Sequence, residues 1–260
     1  MSTLQFDAKA TEHLVALYTT PDIVAQREQF LRLLQLRAGE RVLDVGSGPG
    51  FLADAMAQAV GPTGAVCGVE ISEPLLAFAR AGSSKRPWIE YPHGDAVQLP
   101  VVADSVDVAV STQVLEYVAD VDTAIAELFR VVRRGGRVAI MDTEWDSAVW
   151  HTSDRERMQR VLAAWEVHAP HARLPRRLRG KLQRAGFRVD DAQVLTLFNP
   201  TFDPETYSNR MIDMIAAFVR GRGGIAPEEA QAWAQELRQL GAQGEYFFSL
   251  NRYVFLATKP

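Results

Sequence analysis

Three carboxylates, Asp44, Glu70 and Asp95, each follow a short apolar run, and the intervals between them are long enough for one strand and one helix. Between Asp44 and the next apolar segment lie Gly46, Ser47, Gly48, Pro49 and Gly50. Glycines at alternate positions let the backbone approach a ligand with no Cβ in the way. A helix opening after them presents unpaired N–H groups and the positive end of its dipole. A polar, partly anionic ligand is therefore expected to dock there. An acid one βαβ unit downstream is where a ribose diol meets its hydrogen-bond acceptor, which points to Glu70. In a parallel sheet the three acids share one edge, so a single extended ligand can touch all of them.

Later in the chain, His151, His168 and His171 titrate in the range useful to a general base, with Glu144 and Asp146 as acidic alternatives. Each is equally suited to a surface or packing role. Trp145, Trp150, Phe202 and Tyr207 could line an aromatic pocket. Trp145 stands first among them on the substrate side because it directly follows the fifth predicted strand, and Tyr207 is also placed there.

The elements that must position these residues follow from periodicity. Thr11 to Leu36 reads as helix, with Pro21-Asp22 as a start signal, and forms an N-terminal cap over residues 1–37. Residues 38–142 alternate short strands with helices: strand 41–45, helix 51–60, strand 65–70, a helix opened by Ser72, strand 89–93, strand 106–111, a helix begun by Asp120 or Asp122, and strand 137–141. That alternation predicts an α/β, doubly wound, mostly parallel sheet with right-handed crossovers. Segments 143–173 and 199–243 interrupt the alternation as insertions, and insertions at the carboxyl edge of a sheet are where substrate contacts belong. Within the second, Gly221 to Gly224 reads as a mobile hinge. Phe247 to Ala257 is a last strand.

Five motifs occur in order: Val42-Leu43-Asp44-Val45-Gly46-Ser47-Gly48-Pro49-Gly50, Gly68-Val69-Glu70-Ile71-Ser72, Gly94-Asp95-Ala96, Asp107 to Ser111 with Val114 to Val118, and Arg133 to Val138. Together they resemble class I S-adenosylmethionine-dependent methyltransferases, nearest to the small-molecule group that includes the ubiquinone and menaquinone biosynthesis enzymes. The resemblance implies a Rossmann-like seven-stranded sheet with an antiparallel last strand, and S-adenosyl-L-methionine as cofactor with S-adenosyl-L-homocysteine as product. It places Gly46, Ser47, Gly48 and Gly50 around the methionine moiety, with Gln113 beside it and Asp44 near the loop and the amino group. Glu70 would take the ribose hydroxyls, Ile71 would lie against the adenine, and Asp95 with the Ala96 backbone would read the adenine edge. Tyr18, in the cap, is expected near the methionine carboxylate. Tyr117 stands where the family often has histidine. No metal is expected.

Composition narrows the alternatives. The chain has 260 residues, 47% of them hydrophobic, which suits one large α/β domain carrying insertions. A net charge of −4 supplies no general attraction for nucleic acid. A nucleic-acid methyltransferase acting on exocyclic amines would moreover carry an Asn/Asp-Pro-Pro-Tyr/Phe segment where this chain has Ser111-Thr112-Gln113-Val114. The loop also lacks the G-x-G-x-x-G spacing of nicotinamide enzymes. Cys67 is the single cysteine, so an internal disulfide is ruled out and arsenic-methylating chemistry is disfavoured. The start of the chain lacks the apolar core of a signal peptide and no run approaches a membrane span, so a cytoplasmic protein is expected. A small-molecule acceptor is the leading reading. A cofactor-binding partner protein without transfer activity is the alternative from another class.

Overall fold

Alternate residues of each core strand enter opposite apolar clusters, which is the period-two signature of a sheet covered on both faces. The computed structural model describes residues 8–260. The chain opens with α1 (Ala8–Tyr18) and α2 (Pro21–Leu34), then β1 (Arg41–Val45), α3 (Phe51–Val60), β2 (Ala65–Val69), α4 (Glu73–Gly82) and β3 (Ile89–Glu90). Next come β4 (Val106–Thr112), α5 (Val121–Val131), β5 (Val132–Thr143), β6 (Val149–Trp150), α6 (Arg155–Glu166) and α7 (Pro175–Arg184). The chain ends with β7 (Arg188–Asn199), α8 (Tyr207–Val219), α9 (Pro227–Ala242) and β8 (Phe248–Thr258). Leu43, Ala109, Val138 and Ile140 pack toward α5 and α7, whereas Val42, Val108, Val110 and Ala139 pack toward α2, α3 and α4.

The sheet order is β3-β2-β1-β4-β5-β8, with β7 along the far side of β8. Pairings from β3 to β5 are parallel, and β8 runs antiparallel to both β5 and β7. The expected doubly wound sheet with its antiparallel last strand is therefore present. It contains one strand more than the expected seven, because β6 pairs with Ser249 and Phe248 beyond the end of β5. Strand 89–93 is shorter than its apolar pattern implied, since pairing stops at Glu90 and resumes only as the isolated bridge between Glu70 and His93. Among the described residues no helix is long and apolar enough to cross a membrane.

The cap is two helices rather than one. Pro21 has no N–H to donate, so it opens a new helix at its first turn, and the chain bends at Thr19-Thr20. Asp22, in that same turn, accepts the Tyr207 N–H at 2.9 Å and Asn199 Nδ2 at 3.1 Å. The cap is thereby fastened to the start of α8.

The two insertions fold together. Trp145, Trp150, Trp165 and Trp233 pack with α6, α8 and α9 over the end of β8 in an aromatic-rich cluster of their own. Fully burying one such side chain contributes a few kcal/mol. A second tie is ionic: Glu236 of α9 accepts from Thr152 Oγ1 at 2.8 Å, Ser153 N–H at 2.6 Å and Arg157 Nη2 at 2.7 Å. Residues 221–224, expected to be a mobile hinge, form a hydrogen-bonded turn. Gly221 N–H donates to Ile225 O at 2.8 Å, and Ile225 itself is buried. Left-handed glycines are needed at this reversal so that Ile225 can turn back into the core.

Candidate active site

β1 ends in the glycine loop, and two backbone hydrogen bonds stitch the loop to the next strand: Gly46 N–H and Ser47 N–H both donate to Val69 O, at 2.8 and 3.0 Å. Gly46 and Gly48 have φ of 69° and 54°, in the left-handed region that side chains disfavour. A Cβ at Gly46 would overlap Val114, whereas one at Gly48 would meet nothing within 4 Å and would instead project into open space. Gly48 therefore keeps the floor of a groove bare. Glu70, one residue beyond β2, reaches across with Oε2 to accept Gly48 N–H at 2.9 Å, while Oε1 accepts the N–H groups of Ile71 and Ser72. Its carboxylate thus organises the loop as well as facing the cavity, and retains lone pairs for further donors.

A cavity of about 750 Å³ runs along the carboxyl edge of the sheet from this loop to the insertions. Asp44, Gly46, Ser47 and Gly48 line its first part together with Glu70 and Ile71; Asp95, Ala96, Gln113 and Tyr18 extend the same wall. Gly50 does not reach it. A Cβ there would strike Tyr91 and Ala79, so Gly50 serves the close approach of α3 to its neighbours. Asp44 is buried, its Oδ2 has no hydrogen-bond partner among the described residues, and burial followed by repulsion from Glu70 pushes its carboxyl up to about 8. Asp95 Oδ1 accepts Val97 N–H at 3.1 Å, and Ile71 is 60% exposed on the rim. Gln113 adopts a left-handed φ of 56°, held by its N–H to Met141 O at 2.6 Å. A strained non-glycine at a strand end marks a side chain being re-aimed.

The far part of the cavity is aromatic: Tyr117, Trp145, Trp165, His168 and Tyr207 line it beside Met211. His168 stacks on Trp165 at 3.8 Å and meets Trp145 edge-on at 4.6 Å. Its Nδ1 lies 2.6 Å from Trp165 O; a carbonyl only accepts, so Nδ1 bears the proton. Burial lowers the imidazole to about 4. Trp145 is oriented from behind by Glu116, whose Oε2 accepts its Nε1–H at 3.1 Å. Glu116 is itself pushed up to about 7, by burial and against the pull of Arg252.

The three histidines separate. His151 sits on the surface 4.0 Å from Glu245, and His171 contacts Ala119 O, so only His168 reaches the cavity. Glu144 and Asp146 face Arg176 and Arg173 rather than the cavity. Trp150 and Phe202 also lie away from it, Trp150 donating to the Tyr246 hydroxyl at 3.1 Å. Two cavity arginines escaped the sequence reading. Arg27 is the first, with Nη1 on Tyr18 O at 3.1 Å and its guanidinium over Phe51. The other is Arg252 of β8. An isolated arginine on a helix face or within a strand gives no local signal of function.

An unpartnered Asp44 oxygen, a bare glycine floor at Gly48, and an acid with spare lone pairs fit a ligand carrying an ammonium and a diol. The comparisons agree. The methyltransferase domain family matches residues 43–140. An uncharacterized 37.1 kDa protein in a Streptomyces fradiae transposon is 31% identical over 252 residues, covering 94% of this chain and 70% of that one. The demethylmenaquinone methyltransferase of Lactobacillus johnsonii is 33% identical over 120 residues; the match takes in 45% of this chain and 49% of that enzyme, so the alignment spans about half of its length. Among solved structures, the fold is shared with phosphoethanolamine N-methyltransferase 2 of Haemonchus contortus in complex with S-adenosyl-L-methionine. The TM-score is 0.64 at 18% identity, over 100% of this chain and 59% of that one. The cofactor that fits the groove is S-adenosylmethionine, and the chain belongs to the class I S-adenosylmethionine-dependent methyltransferases.

Proposed function

We propose that this enzyme methylates a small, largely apolar acceptor held in the aromatic half of the cavity, and that cap, core and insertions work as one unit. The single observation behind this reading is continuity. One cavity joins the glycine loop and its acids to a chamber walled by Tyr117, Trp145, Trp165 and Tyr207. Its volume of about 750 Å³ is in the range of small-molecule sites, which are mostly apolar with a few placed polar groups.

Bound S-adenosylmethionine supplies an electrophilic methyl group on a sulfonium. In this reading Asp44 and the loop of Gly46, Ser47 and Gly48 take the ammonium end, with Gln113 alongside. Glu70 takes the ribose hydroxyls, and Asp95, Ala96 and Ile71 frame the adenine. Tyr18 belongs to the methionine carboxylate end, where Arg27 adds a positive charge. Aromatic faces around the reacting centre favour its cationic charge. The chain's main contribution is alignment and exclusion of water, effects able to supply on the order of 7–11 kcal/mol. With its basicity lowered to about 4, His168 is suited to orient an acceptor rather than to hold its proton.

Calorimetric titration with S-adenosylmethionine, followed by measurement of S-adenosylhomocysteine release over phenols, quinone precursors, amines and carboxylates, tests the proposal. Turnover with at least one class supports it. Tight binding without turnover across the whole panel favours a cofactor-binding partner protein instead.

A further inference from the structure

The acceptor half of the cavity contains a buried cation. Arg252 is 1% exposed, sits in β8 between Thr143 of β5 and Leu195 of β7, and lines the cavity. Its Nη1 is fixed by Gln26 Oε1, and Gln26 Nε2 in turn donates to Leu195 O at 3.4 Å. The guanidinium lies 5.1 Å from the centre of the Tyr207 ring. Nε and Nη2 have no hydrogen-bond partner among the described residues.

A guanidinium held in this way is an incomplete site. Removing a charge from water is costly unless it is paired and hydrogen-bonded, and two free donors on one planar group match the two oxygens of a carboxylate. Glu116, the acid that feels the pull of Arg252, does not line the cavity, and burial keeps its carboxyl above the ordinary range, which weakens it as a counter-ion. Arg27 also lines the cavity, with its guanidinium over Phe51 at the exit of the glycine loop, so the cofactor's own carboxylate has a cation other than Arg252. Resting on the functional reading above, and sharpening it, we propose that the acceptor is an aromatic or otherwise apolar carboxylic acid whose carboxylate is held by Arg252, with Tyr207 beside it.

The test compares naphthoate, indoleacetate and benzoate with their neutral carboxamides, titrated calorimetrically into the protein with and without S-adenosylhomocysteine. At least one carboxylate is expected to bind about tenfold or more tightly than its own amide, the usual reach of a charge-assisted pair. Arg252→Gln should abolish that preference, Arg252→Lys should keep part of it, and affinity for S-adenosylhomocysteine should stay unchanged in both. No preference in the unaltered protein overturns the proposal without any variant having to fold. A preference that survives Arg252→Gln also overturns it. So does a loss of S-adenosylhomocysteine affinity in Arg252→Gln and Arg252→Lys alike, which would assign the arginine to the cofactor. A protein that prefers carboxylates yet fails to bind S-adenosylhomocysteine keeps the anion site and removes the cofactor-dependent reading.

Discussion

Glu70 Oε2 accepts the backbone N–H of Gly48 at 2.9 Å, so the acid at the end of one strand holds the glycine loop at the end of its neighbour. The two motifs meet because β1 and β2 are parallel and in register, Asp44 opposite Gly68 and Val45 opposite Val69. A side chain placed to grip a ribose therefore also shapes the floor on which the rest of the ligand lies.

That double duty makes the Glu70 variants informative. Glu70→Ala should weaken S-adenosylmethionine binding by at least about 1–3 kcal/mol, through lost charge-assisted hydrogen bonds. Glu70→Gln keeps one acceptor for the loop, so its melting temperature should stay nearer the parent's while its affinity still falls. Calorimetry and thermal melts separate the two effects, and an unchanged binding isotherm for Glu70→Ala would place the ribose elsewhere.

Asp44 predicts a proton signature. Its carboxyl, pushed up to about 8 by burial and then by Glu70, is largely protonated at pH 7, and an ammonium docking beside it favours the ionised form. S-adenosylmethionine binding at pH 7 should thus release up to about one proton, read from the dependence of the binding enthalpy on buffer ionisation enthalpy. Asp44→Asn should remove most of that release.

The same shift has a stability consequence. Asp44 at about 8 and Glu116 at about 7 both titrate above the ordinary carboxyl range near 4. A carboxyl whose folded value is raised favours the fold below its unfolded pKa, and that advantage is lost as pH rises through the folded value. The ligand-free protein should melt at progressively lower temperature from about pH 4 toward pH 8 on their account. Saturation with S-adenosylmethionine should flatten the Asp44 part of that slope.

Glu236 behaves oppositely. Burial pushes its carboxyl up, but hydrogen bonds from Arg157, Thr152 and Ser153 outweigh this and hold it at about 2. Its contribution is present above the unfolded pKa near 4 and disappears as pH falls through about 2. Glu236→Ala leaves Arg157 without its main partner and should cost about 3 kcal/mol in a denaturant titration at pH 7. Glu236→Gln should cost less.

His168 provides a spectroscopic check. With Nδ1–H given to Trp165 O and the ring among tryptophans, the imidazole should stay neutral down to about pH 4. Nitrogen-resolved NMR should show one protonated Nδ1 and no titration between pH 5.5 and 8, a window that brackets the ordinary histidine value of about 6.5. A midpoint near 6.5 would mean water reaches the ring freely.

Sequence alone determined the strand order's raw material and the cofactor end of the cavity. Asp44, the glycine loop, Glu70 and Asp95 are each written into short motifs next to strands, and parallel pairing brings strand ends together whatever the rest of the chain does. Tertiary structure decided the acceptor end. His151, His168 and His171 look alike in a sequence, yet only the one wedged between Trp145 and Trp165 reaches the chamber. Gln26 and Arg252 stand 226 positions apart and meet only because the cap crosses the last strands. Long-range side-chain contacts depend on how insertions fold over the sheet, and no local periodicity encodes that packing.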